Sequence, residues 1–145
     1  MDREVDVSIQ ARVIRDIIAH IAATEKIGKK LRDGTIQKDL VEVKWQCPRK
    51  YDHEIIERKQ FSMELVSISG SDHKRVILQL HGGGYIAGMR NIFRHMAVLY
   101  SKISDRADVL TIDYRVAPEH PYPAALEDSI EAYQWLLDRG YGGEI

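Results

Sequence analysis

The chain has 145 residues, 44% of them hydrophobic and 30% charged, the composition of a folded domain and not of a disordered tail. Lys and Arg number 21 against 22 Asp and Glu, so no global field draws the chain to nucleic acid or to an anionic membrane. The single cysteine, Cys47, excludes an internal disulfide, no apolar run is long enough to span a bilayer, and Met1-Asp2-Arg3-Glu4 lacks a signal peptide's basic start, so a cytoplasmic setting is expected.

From Ser8 to Leu31, Ile9, Val13, Ile14, Ile17, Ile18 and Ile21 recur at helical spacing and predict one amphipathic helix capped by Ser8. The basic residues Lys26, Lys29, Lys30 and Arg32 that end it, like Arg58 and Lys59 further on, have acidic neighbours and read as solvated faces. Leu40, Val41, Val43 and Trp45 then mark a buried anchor that ends at Pro48. Glu54–Lys59 and Phe61–Ser69 read as a strand hairpin, and Gly70-Ser71-Asp72 as the turn into a third strand at Val76–Leu80. Asn91 is placed to cap a helix whose apolar face is Ile92, Met96, Leu99, Tyr100 and Ile103. Val109–Asp113 reads as a buried strand. Pro123 then opens a helix with Leu126, Ile130, Tyr133 and Leu137 on its apolar face and Gly140 at its close. Strand, helix, strand, helix from Arg75 onward is the order of a parallel sheet with crossover helices.

The chemistry concentrates where the third strand ends, in His81-Gly82-Gly83-Gly84-Tyr85. A loop without side chains at a strand's C-terminal end leaves backbone N–H groups bare to face a developing negative charge, which is how an oxyanion hole is built. Gly82-Gly83-Gly84-Tyr85-Ile86-Ala87 also satisfies the G-x-G-x-x-A dinucleotide fingerprint. That reading needs a helix to open at the glycines, whereas the helical pattern starts near Asn91. His53-Glu54-Ile55-Ile56-Glu57 misses the zinc motif H-E-x-x-H by its last residue and falls in a strand, so no metal is expected.

With Asp113-Tyr114-Arg115-Val116-Ala117-Pro118-Glu119-His120-Pro121-Tyr122-Pro123-Ala124-Ala125, the glycine segment resembles the hormone-sensitive-lipase-like (HGGG) family of α/β-hydrolase carboxylesterases. The resemblance runs from about Arg75 to Leu137. It implies an α/β fold: the first half of an α/β-hydrolase sheet, mostly parallel with crossover helices, after an N-terminal helical, cap-like segment. Residues 1–50 would form that segment and 51–145 a partial hydrolase domain; the first helix reads equally as a cap or as a helix packed on the sheet. By the same resemblance Gly83 and Gly84 would supply oxyanion N–H groups, so that Gly83→Ala would cost activity and not folding. Gly82 would shape the turn and His81 would brace it. Tyr85 would line an acyl or alcohol pocket or simply pack. His120 reads as structural, and Asp113, Arg115 and Glu119 as a charged trio in an internally bonded supporting loop whose turn three prolines stiffen. The substrate would be a small apolar ester, with no cofactor.

No G-x-S-x-G elbow occurs in these residues, and the family's acid and base follow its serine. Nucleophile, acid and base are therefore expected elsewhere. The chain reads as an esterase's front half, truncated before the elbow, inactive alone and prone to self-association or to pairing with a complementary C-terminal half. A non-catalytic small-ligand binding protein on the same scaffold stays open beside it.

Overall fold

The computed structural model describes residues 9–22, 24–32, 42–71 and 75–142. They belong to two compact units, Met1–Asp39 and Leu40–Ile145. The first holds two helices, α1 (Ile9–Ala22) and α2 (Glu25–Arg32), where the periodicity predicts one. The break comes at Thr24, whose carbonyl accepts the Gly28 N–H at 2.9 Å and so opens α2; a threonine favours such a boundary over a helix interior. The expected cap, Ser8, lies outside the described residues. Among the described residues, no helix is long and apolar enough to cross a membrane.

The second unit is a four-stranded sheet: β1 (Tyr51–Glu57), β2 (Ser62–Ile68), β3 (Val76–Leu80) and β4 (Asp108–Asp113), in the order β1-β2-β4-β3. α3 (Asn91–Ile103) joins β3 to β4, and α4 (Ala124–Asp138) follows β4. The described sheet is mixed: β3 and β4 are parallel, while β1/β2 and β2/β4 are antiparallel. The short connection 58–61 can only reverse the chain, whereas the helical crossover returns it in the same sense. β1 begins at Tyr51, three residues ahead of its predicted start, and no described strand pairs with the outer edge of β3.

Successive strand residues face opposite ways, and the two cores follow that alternation. Met63, Leu65, Leu110 and Ile112 pack with Ala132 and Leu136 of α4 on one face; Val66 and Val109 pack with Ala97 of α3 on the other. Strand β4 is buried on both faces from Asp108 to Ile112, as suits a continuous apolar run.

Both long helices turn a different face to the sheet than their apolar periodicity predicts. α3 buries Ala97 and Ser101 and leaves Ile92, Leu99 and Ile103 in solvent. α4 buries Ala124, Asp128, Ala132 and Leu136 and leaves Leu126, Ile130, Tyr133 and Leu137 outside. Small residues let a helix backbone approach the sheet, and Asp128 is drawn in by an arginine described below. Asn91 is not the cap of α3 but its first helical residue, after Arg90 at the N-cap. The carboxylate of Glu42 accepts the Asn91 N–H at 2.9 Å instead, placing a negative charge at the positive end of the helix. Val43 is correspondingly exposed, its carbonyl accepting from Asn91 Nδ2, while Trp45 packs as expected. Pro123 sits at the N-cap of α4, and Gly140 closes that helix at φ +86°. Its N–H reaches Leu137 O, and the Tyr141 N–H reaches Leu136 O, which completes a Schellman motif.

One ion pair ties α3 to the sheet. Glu64 on β2 is buried, accepts both Nε and Nη2 of Arg94, and meets Nε2 of His53 at 2.9 Å. Burial works against the Glu64 charge, but the hydrogen bonds from Arg94 and His53 outweigh it and hold its carboxyl below the ordinary value of 4.5. A pKa lowered by folding gives stability that is full above the unfolded value and is lost as pH falls through the folded one. Glu64→Gln should therefore flatten the acid limb of the unfolding curve below about pH 4.5. At neutral pH it should cost about 3 kcal/mol, because Arg94 is left partly buried without its counter-ion. Denaturant titrations of both proteins from pH 3 to pH 7, a range set by the ordinary carboxylate pKa of about 4, would check both effects.

Candidate functional site

Because β3 and β4 are parallel, their C-terminal ends lie at the same edge of the sheet, and the two predicted segments meet there. Residues 81–89 leave β3, and residues 113–117 hold them at three places. The Tyr114 hydroxyl donates to His81 O, the Ala117 N–H donates to Tyr85 O at 2.8 Å, and Asp113 Oδ1 accepts the Met89 N–H at 2.8 Å.

Within the loop, each glycine follows a peptide carbonyl that is already engaged. His81 O is held by Tyr114. Gly82 O lies 3.0 Å from His81 Nδ1, and since a carbonyl only accepts, the proton is on Nδ1. Gly83 O accepts the N–H groups of Ile86 and Ala87, each at 3.2 Å. In a trans peptide the C=O and the following N–H point in opposite directions. Pinning three carbonyls therefore turns the N–H groups of Gly82, Gly83 and Gly84 the other way. Among the described residues, none accepts the N–H of Gly83 or Gly84.

Gly83 has φ +139°, and a Cβ there would lie 2.7 Å from both Cβ and the carbonyl oxygen of Ala87. Only glycine fits. Tyr85 is a non-glycine residue at φ 61°, a sparsely populated conformation held by the Ala117 bond. Its ring is exposed and lies 6.1 Å from that of Tyr114. His81 is buried, stacked on Tyr114 at 4.0 Å with the rings 8° from parallel. Its Nε2 has no hydrogen-bond partner and stands 3.8 Å from Asp113 Oδ1. Burial, then the neighbouring Tyr85 and Asp113, push the Tyr114 hydroxyl above its ordinary pKa, so it stays a neutral donor.

The three glycines, Tyr85 and Tyr114 line a cavity of about 580 Å³ whose other walls include Tyr122, Leu126 and Ser129. His120 stands at its edge, its N–H donating to Val116 O. The first turn of α3 opens seven residues beyond Gly84, so no helix N-terminus meets the glycines as dinucleotide binding requires.

Asp113, Arg115 and Glu119 do not form a trio. Asp113 serves the glycine loop, Glu119 is exposed, and Arg115 turns to α4. Its backbone N–H donates to Asp128 Oδ2 at 2.8 Å, and its guanidinium meets both Asp128 oxygens between 2.7 and 3.0 Å. Asp128 was legible only as an acidic residue at the helical spacing of Ala124, Ala132 and Leu136, a weak signal. The hydroxyl of Tyr114 and the N–H of Met89 carried none.

The expectation that Gly83→Ala would leave folding intact does not survive this packing. Gly83→Ala should destabilise the chain by about 1–3 kcal/mol, through an unfavourable φ and a displaced Ala87 backbone. Gly82→Ala, whose Cβ would meet nothing within 4 Å, should change stability by less than about 1 kcal/mol. Thermal unfolding of the two variants side by side would check the contrast.

Residues 77–144 match a family described as having the α/β-hydrolase fold. The chain is 44% identical over 68 residues to an acetyl-hydrolase of Streptomyces hygroscopicus, covering 46% of this chain and 22% of that protein. It is 42% identical over 65 residues to the esterase LipI of Mycobacterium tuberculosis, covering 45% and 20%. Among solved structures it is similar to an esterase of the bacterial hormone-sensitive lipase family, at 32% identity and a TM-score of 0.61 over 90% of this chain and 42% of that one. An esterase/lipase from an uncultured bacterium gives 34% identity and a TM-score of 0.64 over 93% and 45%. The chain thus spans less than half the length of these structures and matches about a fifth of the two named hydrolases. This polypeptide carries part of an α/β-hydrolase fold and is similar in sequence and structure to an esterase of the hormone-sensitive lipase family.

Proposed function

We propose that this chain supplies the oxyanion-binding part of a carboxylic ester hydrolase. The observation that carries the reading is the pair of Gly83 and Gly84 N–H groups, which no described residue accepts, in a loop that lines an open cavity. When a nucleophile adds to an ester carbonyl, the C=O π electrons move onto oxygen, and that oxygen needs fixed donors. The N–H groups of Gly83 and Gly84 serve it, with Gly82 and His81 holding the turn and Tyr85 bordering the acyl or alcohol group. One such donor contributes about 10²–10³ in rate, because it is already oriented when the charge appears. The cavity's aromatic and aliphatic walls suit a small, fairly apolar ester, and we assign the helices of residues 1–50 to a cap-like role. The reading uses no metal and no organic cofactor, and the lone cysteine suits a cytoplasmic setting.

The 145 residues contain no G-x-S-x-G, so in this reading the nucleophile that the loop serves is not among them. The chain by itself should not hydrolyse a short p-nitrophenyl ester above the blank, since an oxyanion site stripped of its triad retains only about 10³-fold over water. Robust turnover abolished by a serine-directed phosphonate would show instead that a working nucleophile lies within these residues.

The edge of β3 bears on the partner. Val76-Ile77-Leu78-Gln79-Leu80 has no charge or proline to blunt an edge that no described strand covers, and Leu80 is half exposed. We propose that this edge takes up a further strand, from a second copy or from additional polypeptide. Sedimentation of the purified chain should show dimers or larger species. A monomer that unfolds cooperatively would rule out a second copy as the source of that strand.

A further inference from the structure

We propose that Tyr114 is the positioning residue of the glycine loop, setting the direction of its N–H groups through two consecutive peptide planes. The inference rests on the oxyanion reading only for what those groups are for. The first plane is set directly. The Tyr114 hydroxyl is the donor to His81 O, and turning that carbonyl turns the Gly82 N–H with it. The second is set through the ring. Tyr114 stacks flat on the His81 imidazole, and His81 Nδ1 in turn holds Gly82 O and thereby the Gly83 N–H.

The remaining pin, Ile86 and Ala87 on Gly83 O, is made by the loop's own backbone and moves with it. Tyr114 is different because it is anchored elsewhere. It follows the last residue of β4, is buried, and packs in the same core as Leu110, Ile112 and Leu136. A loop of three glycines has wide conformational freedom of its own, so an external reference is what makes its orientation single-valued. The elevated pKa of the hydroxyl fits this role, since an ionised phenol could not donate.

Tyr114→Phe keeps the ring, the stacking and the core packing and deletes only the donor. Hydrogen exchange read by mass spectrometry reports the amides of Ile86, Ala87 and Met89, which the held loop protects, and does so in oligomers as well as monomers. With one hydrogen bond of about 1 kcal/mol gone, these amides should exchange roughly fivefold faster, while the β4 amides and the unfolding midpoint stay close to wild type. The ¹³C resonance of the His81 carbonyl, read by solid-state NMR, should shift with the loss of its donor. Unchanged exchange at 86–89 together with an unshifted His81 carbonyl would overturn the proposal. A uniform rise in exchange along the whole chain would also overturn it, by showing Tyr114 to be core packing alone. None of these readouts uses catalysis, so the outcome for Tyr114 is distinguishable from the fate of the oxyanion reading.

Discussion

Strand β4 is the member on which the rest of the second unit depends. It is buried on both faces, bonded to β2 on one side and to β3 on the other, and contributes to both cores. Its C-terminal end then distributes three consecutive residues to three different tasks. Asp113 takes the Met89 N–H, Tyr114 takes the His81 carbonyl, and Arg115 takes Asp128 of α4. The most deeply buried strand of the described sheet thus sets both the glycine loop and the start of the next helix. Neither has much reason of its own to adopt one position.

The loop stores some strain in exchange for that control. Gly83, Gly84 and Tyr85 all have positive φ, and for the tyrosine this costs about 1–2 kcal/mol. The bond from Ala117 offsets the cost, as does the turn that Ile86 and Ala87 close on Gly83. Every one of these bonds ends on a carbonyl oxygen. The carbonyls of His81, Gly82, Gly83 and Tyr85 are thus engaged in holding the loop's shape while the Gly83 and Gly84 donors are left over, which is the polarity an anionic intermediate requires.

What was legible in the sequence is what local chemistry decides. Val76–Leu80 could hardly be anything but a strand, although only Gln79 of it is fully buried, the glycines after it announced a loop whose backbone matters, and Gly140 marked a helix end. What was not legible depends on residues far apart in the chain. Glu42 caps a helix that starts 49 residues later. Asp128 is buried because Arg115 is waiting for it. Asn91 looked like a cap because asparagine usually is one, but a carboxylate from another segment is the stronger partner for a helix N-terminus.

The two helix faces failed for a subtler reason. Hydrophobic periodicity ranks faces by the size and apolarity of their side chains, and in both α3 and α4 that ranking selects isoleucines and leucines. α3 lies over Val66 and Val109 and α4 over Met63 and Leu110, and Ala97 and Ser101 on the first and Ala124 and Ala132 on the second let the helix backbones come near. Close packing decides against the larger residues even though burying them would gain more area. Ile92, Leu99 and Ile103 on α3, and Leu126, Ile130, Tyr133 and Leu137 on α4, remain in water as a result. Two such apolar rows are more than single scattered exposed residues.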